Sequence, residues 1–221
     1  DGAAALNGDD PRVASLATRT RARVLLYGQS SQCHVRGSEL ASHGLDGISF
    51  RLTYGEASAP VSCPLPGRHH LYPCLAAAAA ALAEGMALSE IADALAEARP
   101  DLRLRVLPGP NGSTVIDDSY NASPASMLAA LDLLAELPPG RAAGRRIALL
   151  GEMRELGAAE EEGHRQVGQR AASACDLLLV LGERARPLVE AARAAGLKDV
   201  RLLESAEAAV EVLREELGQG D

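Results

Sequence analysis

The stretch Thr-Val-Ile-Asp-Asp-Ser-Tyr-Asn-Ala-Ser-Pro, residues 114–124, is the most informative part of this chain. Val115 and Ile116 form a β-branched apolar pair that predicts a buried strand. Asp117 and Asp118 follow, at the point where this strand would leave its sheet. In an open α/β sheet, ligands bind at the carboxyl ends of the strands, so the two acids are candidate site residues.

A helix start follows the two acids. Ser123 has the side chain of a preferred N-cap, and Pro124 stands at the favoured first helical position. The N–H groups of such a helix start attract anions. The simpler alternative is that the acids and Ser123 only form a turn and a cap, worth roughly 1 kcal/mol for the cap.

Length and composition indicate a soluble protein of two modest α/β domains. The 221 residues are 47% hydrophobic, with much alanine and only 2% aromatic residues, which favours alanine-rich helices packed on sheets. So few aromatic side chains argue against a surface that stacks single-stranded nucleic acid. A net charge of −8 argues against binding a phosphate backbone, so no nucleic-acid partner is expected.

The lysine and cysteine content, together with the lack of long apolar runs, further restricts the kinds of site and the location that can be expected. Lys198 is the only lysine, and it lies outside any phosphate-loop motif. No Cys-x-x-Cys pair occurs, so we expect reduced and mostly buried thiols at Cys33, Cys63, Cys74 and Cys175. No charged-then-apolar leader opens the chain, and no apolar run approaches the roughly 18 residues that a membrane span needs. A cytoplasmic protein without a membrane partner is therefore expected.

The order of predicted elements differs between the two halves. In the first half, short strands with glycine-bearing turns predict antiparallel pairs at residues 24–27, 32–35, 48–54 and 59–63, followed by two helices. Beyond residue 108 the pattern becomes βαβα, with strands at 147–150, 177–181 and 200–203. The fold class is therefore α/β.

The central stretch also carries a family resemblance. Asp-Asp-Ser-Tyr-Asn-Ala-Ser-Pro, followed by Ser126 and Met127, closely resembles the Mur ligase signature Asp-Asp-Ser-Tyr-Asn-Ala-Asn-Pro-x-Ser-Met. The one mismatch is Ser123, where the family usually has Asn. Residues 7–11, Asn-Gly-Asp-Asp-Pro, resemble the family's Asn-Ala-Asp-Asp-Pro motif, although an Asx-turn cap without a ligand would explain Asp9 and Asp10 equally well.

Other motifs follow in the order that the family uses. Residues 66–69, Pro-Gly-Arg-His, resemble the start of Pro-Gly-Arg-His-Asn-x-x-Asn, but His70 and Pro73 replace the two Asn residues. Residues 151–157, Gly-Glu-Met-Arg-Glu-Leu-Gly, resemble Gly-Asp-Met-x-Glu-Leu-Gly. His164 begins a His-x-x-Val-Gly sequence that recurs in the family, although a partly exposed helical histidine more often has a structural role. Residues 102–105 match Gly-Arg-Leu-Glu only in part, because Arg105 stands in place of Glu.

The resemblance implies a domain organisation. Residues 1–103 would be the C-terminal part of the family's central ATPase domain, with short antiparallel strands and helices. Residues 104–221 would be the C-terminal Rossmann-like domain, a mostly parallel sheet flanked by helices. The family's phosphate loop, its carbamylated lysine and its Mg²⁺ ligands would lie upstream of this chain.

The resemblance also implies a function. It predicts part of an ATP- and Mg²⁺-dependent ligase that joins D-alanyl-D-alanine to a UDP-muramoyl tripeptide through an acyl phosphate, with no ligase activity in this chain alone. The implied nucleotide contacts are Asn7, Arg68, His69, Asp118, Tyr120 and Asn121, and the implied dipeptide contacts are Glu152 and Met153. No catalytic residue or metal ligand is assigned within the chain.

The sequence also allows two other interpretations of the function. The chain could belong to another member of the superfamily, such as a folylpolyglutamate or cyanophycin synthetase, although the Asp-Asp-Ser-Tyr-Asn string favours the first reading. It could also be a non-catalytic binding module descended from a ligase. His70, Pro73 and Arg105, which break family positions, are the observations in favour of that module.

Overall fold

A computed structural model of the chain describes residues 2–99, 104–137, 144–218 and 221. The chain divides into two compact units, residues 1–99 and 100–221. This division lies four residues before the boundary expected at residues 103 and 104. The residues between the two positions, including the first two of the four residues 102–105 that partly match Gly-Arg-Leu-Glu, lie outside the described part.

The first unit is built on a five-stranded sheet in which spatial order follows chain order. Its strands are β1 (Ala3–Asn7), β2 (Arg23–Gly28), β3 (Val35–Ser42), β4 (Ile48–Tyr54) and β5 (Ala57–Cys63). The expected antiparallel pairing is confirmed for β3 with β4 and for β4 with β5. It is wrong for β2 and β3, which pair in parallel. The strand β1 also pairs in parallel with β2.

One strand lies later in the chain than predicted. Residues 32–34 form a turn, and β3 begins at Val35. A bulge between Ser38 and Ala41 interrupts its pairing with β4, and Glu39 has a left-handed backbone with φ of 55°. This irregularity removes the regular alternation of apolar and polar residues by which a strand is recognised in sequence.

Three helices complete the first unit: α1 (Pro11–Ala14), α2 (Leu71–Ala83) and α3 (Leu88–Ala96). The helix α2 supplies much of the core, because Leu71, Leu75 and Ala78 are completely buried in a cluster with apolar residues of β3 to β5. Burying a leucine side chain contributes about 1.5–3 kcal/mol. The start of α2 is thereby fixed on the sheet, together with the loop that leads into it.

The second unit contains a parallel sheet and a separate hairpin. The hairpin pairs β6 (Arg105–Pro108) with β7 (Thr114–Asp117) in antiparallel fashion. The parallel sheet has the order β10 (Asp199–Leu203), β9 (Leu177–Leu181), β8 (Ile147–Gly151). Its helices are α4 (Pro124–Glu136), α5 (Glu160–Ala174), α6 (Arg186–Ala194) and α7 (Ala206–Glu216). The predicted α/β class is confirmed.

The prediction that Val115 lies in a buried strand is wrong. Its side chain is 40% exposed, and that of Val106 on the partner strand is 41% exposed. Within the described residues β7 pairs only with β6, whereas β9 lies between two parallel strands and has four successive buried residues. A run of apolar residues indicates a strand, but burial depends on which strands pair with it.

The helix α4 begins at the residue that the sequence predicts. Ser123 caps α4 by accepting a hydrogen bond from the Ser126 amide at 3.2 Å, and Pro124 is the first helical residue, as predicted. All four cysteines are free and buried, as expected. Among the described residues, no helix is both long enough and apolar enough to cross a bilayer.

Candidate functional site

In the first unit, the turn after β1 holds the predicted base contact. The Asn7 side-chain oxygen accepts a hydrogen bond from the Asp9 amide at 3.0 Å. Asp10 caps α1 by accepting from the Arg12 amide at 2.9 Å. Because the Asn7 oxygen is used inside the turn, its amide nitrogen is the group positioned to donate to a ligand.

Asp9 is the centre of a hydrogen-bond network that joins three segments. Its carboxylate accepts from the Gln29 amide at 2.6 Å, from the Ser30 amide at 3.1 Å and from the Tyr72 hydroxyl at 2.9 Å. Partial burial raises the pKa of Asp9, but these hydrogen bonds outweigh that effect and hold the pKa below its usual value. Asp9 is therefore a structural anion that ties the Asn7 turn to the end of β2 and the start of α2.

Arg68 and His69 lie in a short 3-10 turn directly before α2. The Arg68 guanidinium donates to the Leu40 carbonyl oxygen at 3.4 Å. His69 packs against His70 with ring centroids 4.2 Å apart, and the His70 Nδ1 donates to the Pro66 carbonyl oxygen at 2.6 Å. The turn is thus braced by its own histidines.

Tyr72 was not singled out from the sequence, yet it makes the long-range contact of this region. It lies 63 residues from Asp9 and joins the Asn7 turn to the helix that follows Arg68 and His69. No motif near Tyr72 in the sequence indicates this contact, because Asp9 and Tyr72 are brought together only when α2 packs on the sheet. Pro73 stands in the first turn of α2, where its missing N–H would have had no helical partner.

In the second unit, the two acids of the signature have different environments. Asp117 accepts from the Ser119 hydroxyl at 2.6 Å and from the Ser119 amide at 3.1 Å, and pairs with Arg105 at 3.9 Å. The hydrogen bond from the Ser119 hydroxyl is the largest contribution to lowering the pKa of Asp117. Asp117 is therefore committed to the turn.

Asp118 offers an acceptor that the turn does not use. Its Oδ1 atom is shielded from solvent, and no hydrogen-bond donor among the described residues reaches it. A shielded acceptor without a donor costs about 1–3 kcal/mol, so a ligand hydroxyl at this position would remove the penalty. Tyr120, two residues later, is 71% exposed. The Asn121 side-chain oxygen accepts from the Ala122 amide at 2.8 Å, which directs the amide nitrogen away from that contact.

The loop after β8, residues 152–156 and called the β8 loop below, carries an ion pair at the carboxyl edge of the parallel sheet. Glu152 pairs with Arg154 at 2.6 Å, with the Glu152 side chain 18% exposed and the Arg154 side chain 74% exposed. Gly182, at the end of β9, lies beneath the Glu152 carboxylate: a Cβ atom there would lie 2.6 Å from Glu152 Oε2. Residue 182 also has φ of 95°, a backbone conformation that glycine adopts without strain. Both the close approach of Glu152 and this conformation therefore favour glycine here.

Met153 was predicted as a dipeptide contact, and the structure shows only that its side chain is buried. Its side chain has no exposed surface and packs in the core of the second unit, so it is not available as a direct contact to a dipeptide. His164 also differs from expectation, because it is completely buried rather than partly exposed. Its Nε2 accepts from the Met153 amide at 2.9 Å.

Metal binding has no candidate site in the part of the chain that the structure describes. No group of three His, Cys, Asp or Glu side chains there is arranged to hold a metal ion. In the second unit, the Asp118 carboxylate could accept a hydrogen bond from a hydroxyl and the Asn121 amide could donate one. In the first unit, the Asn7 amide could donate to an acceptor of a ligand.

These motifs and the α/β fold of the second unit agree with a family model. Residues 102–221 match the model described as Mur ligase, glutamate ligase domain. The chain belongs to the Mur ligase family.

Curated relatives indicate which ligases of this family the chain is similar to. The chain is 39% identical to the UDP-N-acetylmuramoyl-tripeptide--D-alanyl-D-alanine ligase of Mycobacterium tuberculosis over 173 residues, which cover 77% of this chain and 34% of that protein. It is 34% identical to the ligase of the same name from Mycobacterium leprae, with 100% of this chain and 48% of that protein covered. The chain therefore spans about a third to a half of the length of these relatives.

Solved structures support the fold. MurF from Acinetobacter baumannii superposes with a TM-score of 0.82 at 24% identity, covering 97% of this chain and 45% of that one. MurF from Thermotoga maritima, in complex with ADP, gives a TM-score of 0.79 at 20% identity, covering 99% of this chain and 48% of that one.

Proposed function

We propose that the chain is part of an ATP-dependent ligase that adds D-alanyl-D-alanine to a UDP-N-acetylmuramoyl tripeptide in the making of peptidoglycan. The proposal draws on relatives that carry this name at up to 39% identity and on the intact Asp-Asp-Ser-Tyr-Asn string. Because UDP-linked precursors are its substrates, we place the enzyme in the cytoplasm.

The nucleotide contacts are proposed from the polar groups that the fold leaves available. The shielded Asp118 Oδ1 atom carries this assignment, since it accepts a hydrogen bond from a ribose hydroxyl. The exposed Tyr120 ring and the Asn121 amide lie beside it in the sequence, and the Asn7 amide donates to the base. ATP supplies the phosphoryl group that turns the tripeptide carboxylate into an acyl phosphate.

The dipeptide contacts are proposed at the β8 loop. D-Alanyl-D-alanine has an amine at one end and a carboxylate at the other, and Glu152 and Arg154 present groups of both complementary types within 2.6 Å of each other. Glu152 would accept a hydrogen bond from the amine and Arg154 would bind the carboxylate. Met153 is not retained as a contact, because its side chain is buried.

Calorimetric titration of the chain with Mg-ATP tests the nucleotide assignment. We expect binding that Asp118→Asn weakens about five- to tenfold, because a neutral hydrogen bond replaces a charge-assisted one, a difference of about 1–1.5 kcal/mol. Asp117→Asn is the matched control, since this neighbouring acid is already committed to Ser119 and Arg105 and should change affinity less than about threefold. Equal effects of the two substitutions, or no binding by the wild type, would contradict the assignment.

A non-catalytic module is the second candidate, favoured by His70 and Pro73, which occupy two family Asn positions. It predicts that D-alanyl-D-alanine does not bind and that the nucleotide, if it binds, does so independently of Asp118. The same titrations, repeated with the dipeptide, therefore separate the two candidates.

A further inference from the structure

His164 makes two hydrogen bonds whose directions follow from its two partners. Its Nδ1 lies 2.8 Å from the Glu160 carbonyl oxygen, which can only accept a hydrogen bond. Its Nε2 lies 2.9 Å from the Met153 amide, which can only donate. The ring therefore donates from Nδ1 and accepts at Nε2.

This ring connects two loops at the carboxyl edge of the parallel sheet. Glu160, whose carbonyl oxygen accepts from His164, also binds Arg184 with both carboxylate oxygens, at 2.8 and 2.6 Å. Arg184 belongs to the turn that follows β9, and Met153 belongs to the β8 loop. The first turn of α5 thus joins the loop after β9 to the loop after β8.

The β8 loop needs such a connection. Glu155 has φ of 62°, a left-handed conformation that side chains other than glycine and asparagine disfavour. The Glu152 carboxylate must also stay over Gly182, where a small shift would lose the close fit. The Met153 amide lies between these two residues and is the point at which His164 holds the backbone.

We propose that His164 is a positioning residue for the dipeptide side of the ligase site: by accepting from the Met153 amide, it holds the β8 loop so that Glu152 and Arg154 face a bound dipeptide. This inference rests on the proposed function for its substrate. His164 is buried and touches no substrate itself, so it acts only through the backbone of the loop.

Two substitutions separate the two hydrogen bonds of the ring. In His164→Gln, the side-chain oxygen takes the place of Nε2 and still accepts from Met153. In His164→Asn, the shorter amide takes the place of Nδ1, still donates to Glu160, and leaves the Met153 amide without an acceptor. The variants are both neutral and polar, so they differ mainly in the bond under test.

The experiment is a titration with D-alanyl-D-alanine followed by nuclear magnetic resonance, combined with amide hydrogen exchange at Met153. We expect His164→Gln to keep the affinity within about twofold and His164→Asn to lower it about five- to tenfold, with faster exchange at Met153 in the Asn variant only. Equal affinities for the two variants, despite faster exchange in one of them, would overturn the proposal and leave the function intact.

Two further measurements separate the test of the role of His164 from the test of the dipeptide assignment. If the wild-type chain does not bind the dipeptide, the substrate assignment fails, and the exchange rates alone decide whether His164 holds the loop. If the Asn variant does not fold, nitrogen chemical shifts of the wild-type imidazole decide the same question. A protonated Nε2 would overturn the proposal, and a protonated Nδ1 with a bare Nε2 would support it.

Discussion

Replacing Asp9 with asparagine removes the charge at the centre of the network in the first unit while keeping the size of the side chain. The wild-type carboxylate accepts hydrogen bonds from the amides of Gln29 and Ser30 and from the hydroxyl of Tyr72, with a weaker one from Cys33 Sγ at 3.8 Å. An asparagine keeps one oxygen, which serves Gln29 and Tyr72 best, and its amide nitrogen then faces the Ser30 amide.

The expected loss of stability follows from these contacts. Hydrogen bonds to a charged acceptor contribute about 1.5–3 kcal/mol, against about 0.5–1.5 for neutral ones, and an unsatisfied donor costs about 1–3 kcal/mol. Two weakened bonds and one lost bond would sum to about 3.5–6 kcal/mol at a fully buried site. Because Asp9 is partly exposed, we expect a decrease of about 2–4 kcal/mol in the free energy of unfolding. Asp10→Asn is the matched control, because asparagine and aspartate are equally good N-caps and the change should stay within about 0.5 kcal/mol.

Urea denaturation followed by tyrosine fluorescence measures the effect, since Tyr27, Tyr54 and Tyr72 all lie in the first unit. The pH dependence provides a second measurement. The pKa of Asp9 is lower in the folded chain than its usual value, so its stabilisation is complete above about pH 4 and is lost as the pH falls through the folded pKa. Asp9→Asn should flatten this acid limb. A loss below about 0.5 kcal/mol, equal to that of the control, would refute the reasoning.

Two further predictions concern a helix cap and a thiol pair. Ser123→Ala should destabilise the second unit by about 1 kcal/mol in urea, whereas Ser123→Asn should change it by less than about 0.5, and equal losses would show that the cap contributes nothing. The Cys63 and Cys74 Sγ atoms are 3.6 Å apart, and the hydrogen bond that Cys74 donates lowers the pKa of Cys63 to about 7. Diamide should therefore accept two protons and two electrons from this pair and leave a disulfide, faster at pH 8 than at pH 6. Burial raises the pKa of Cys175 to about 12, so peptide mapping should find it unlinked, and a disulfide containing Cys175 would contradict the prediction.

The sequence alone was sufficient to place those helices and strands that are specified by residues close together in the chain. The helix α4 could be placed because Ser123 and Pro124 specify its first turn by their own chemistry. The strand β9 could be placed because a parallel strand covered on both faces is a short continuous apolar run. The strand β8 could also be placed from its apolar run, although its Leu149 is exposed. The hairpin strand β6 was missed, since four residues ending in a proline resemble a linker.

The candidate site was predictable only where a motif supplied it. Asp117 and Asp118 could not be told apart in the sequence, because their difference lies in the reach of Ser119 and Arg105. The roles of Tyr72 and His164 depend on partners that only the packed structure brings close. Met153 was predicted as a contact from its motif, but in the fold its side chain is part of the core.

The sheet of the first unit has one more consequence, for how the protein is made. Because spatial order equals chain order from β1 to β5, each strand pairs with one that has already been synthesised. A chain leaving the ribosome can therefore extend this sheet one strand at a time, because each new strand can pair with the strand synthesised just before it. Among these five described strands, each one pairs with its neighbour in the chain, which limits the time in which their unpaired edges could associate with other nascent chains.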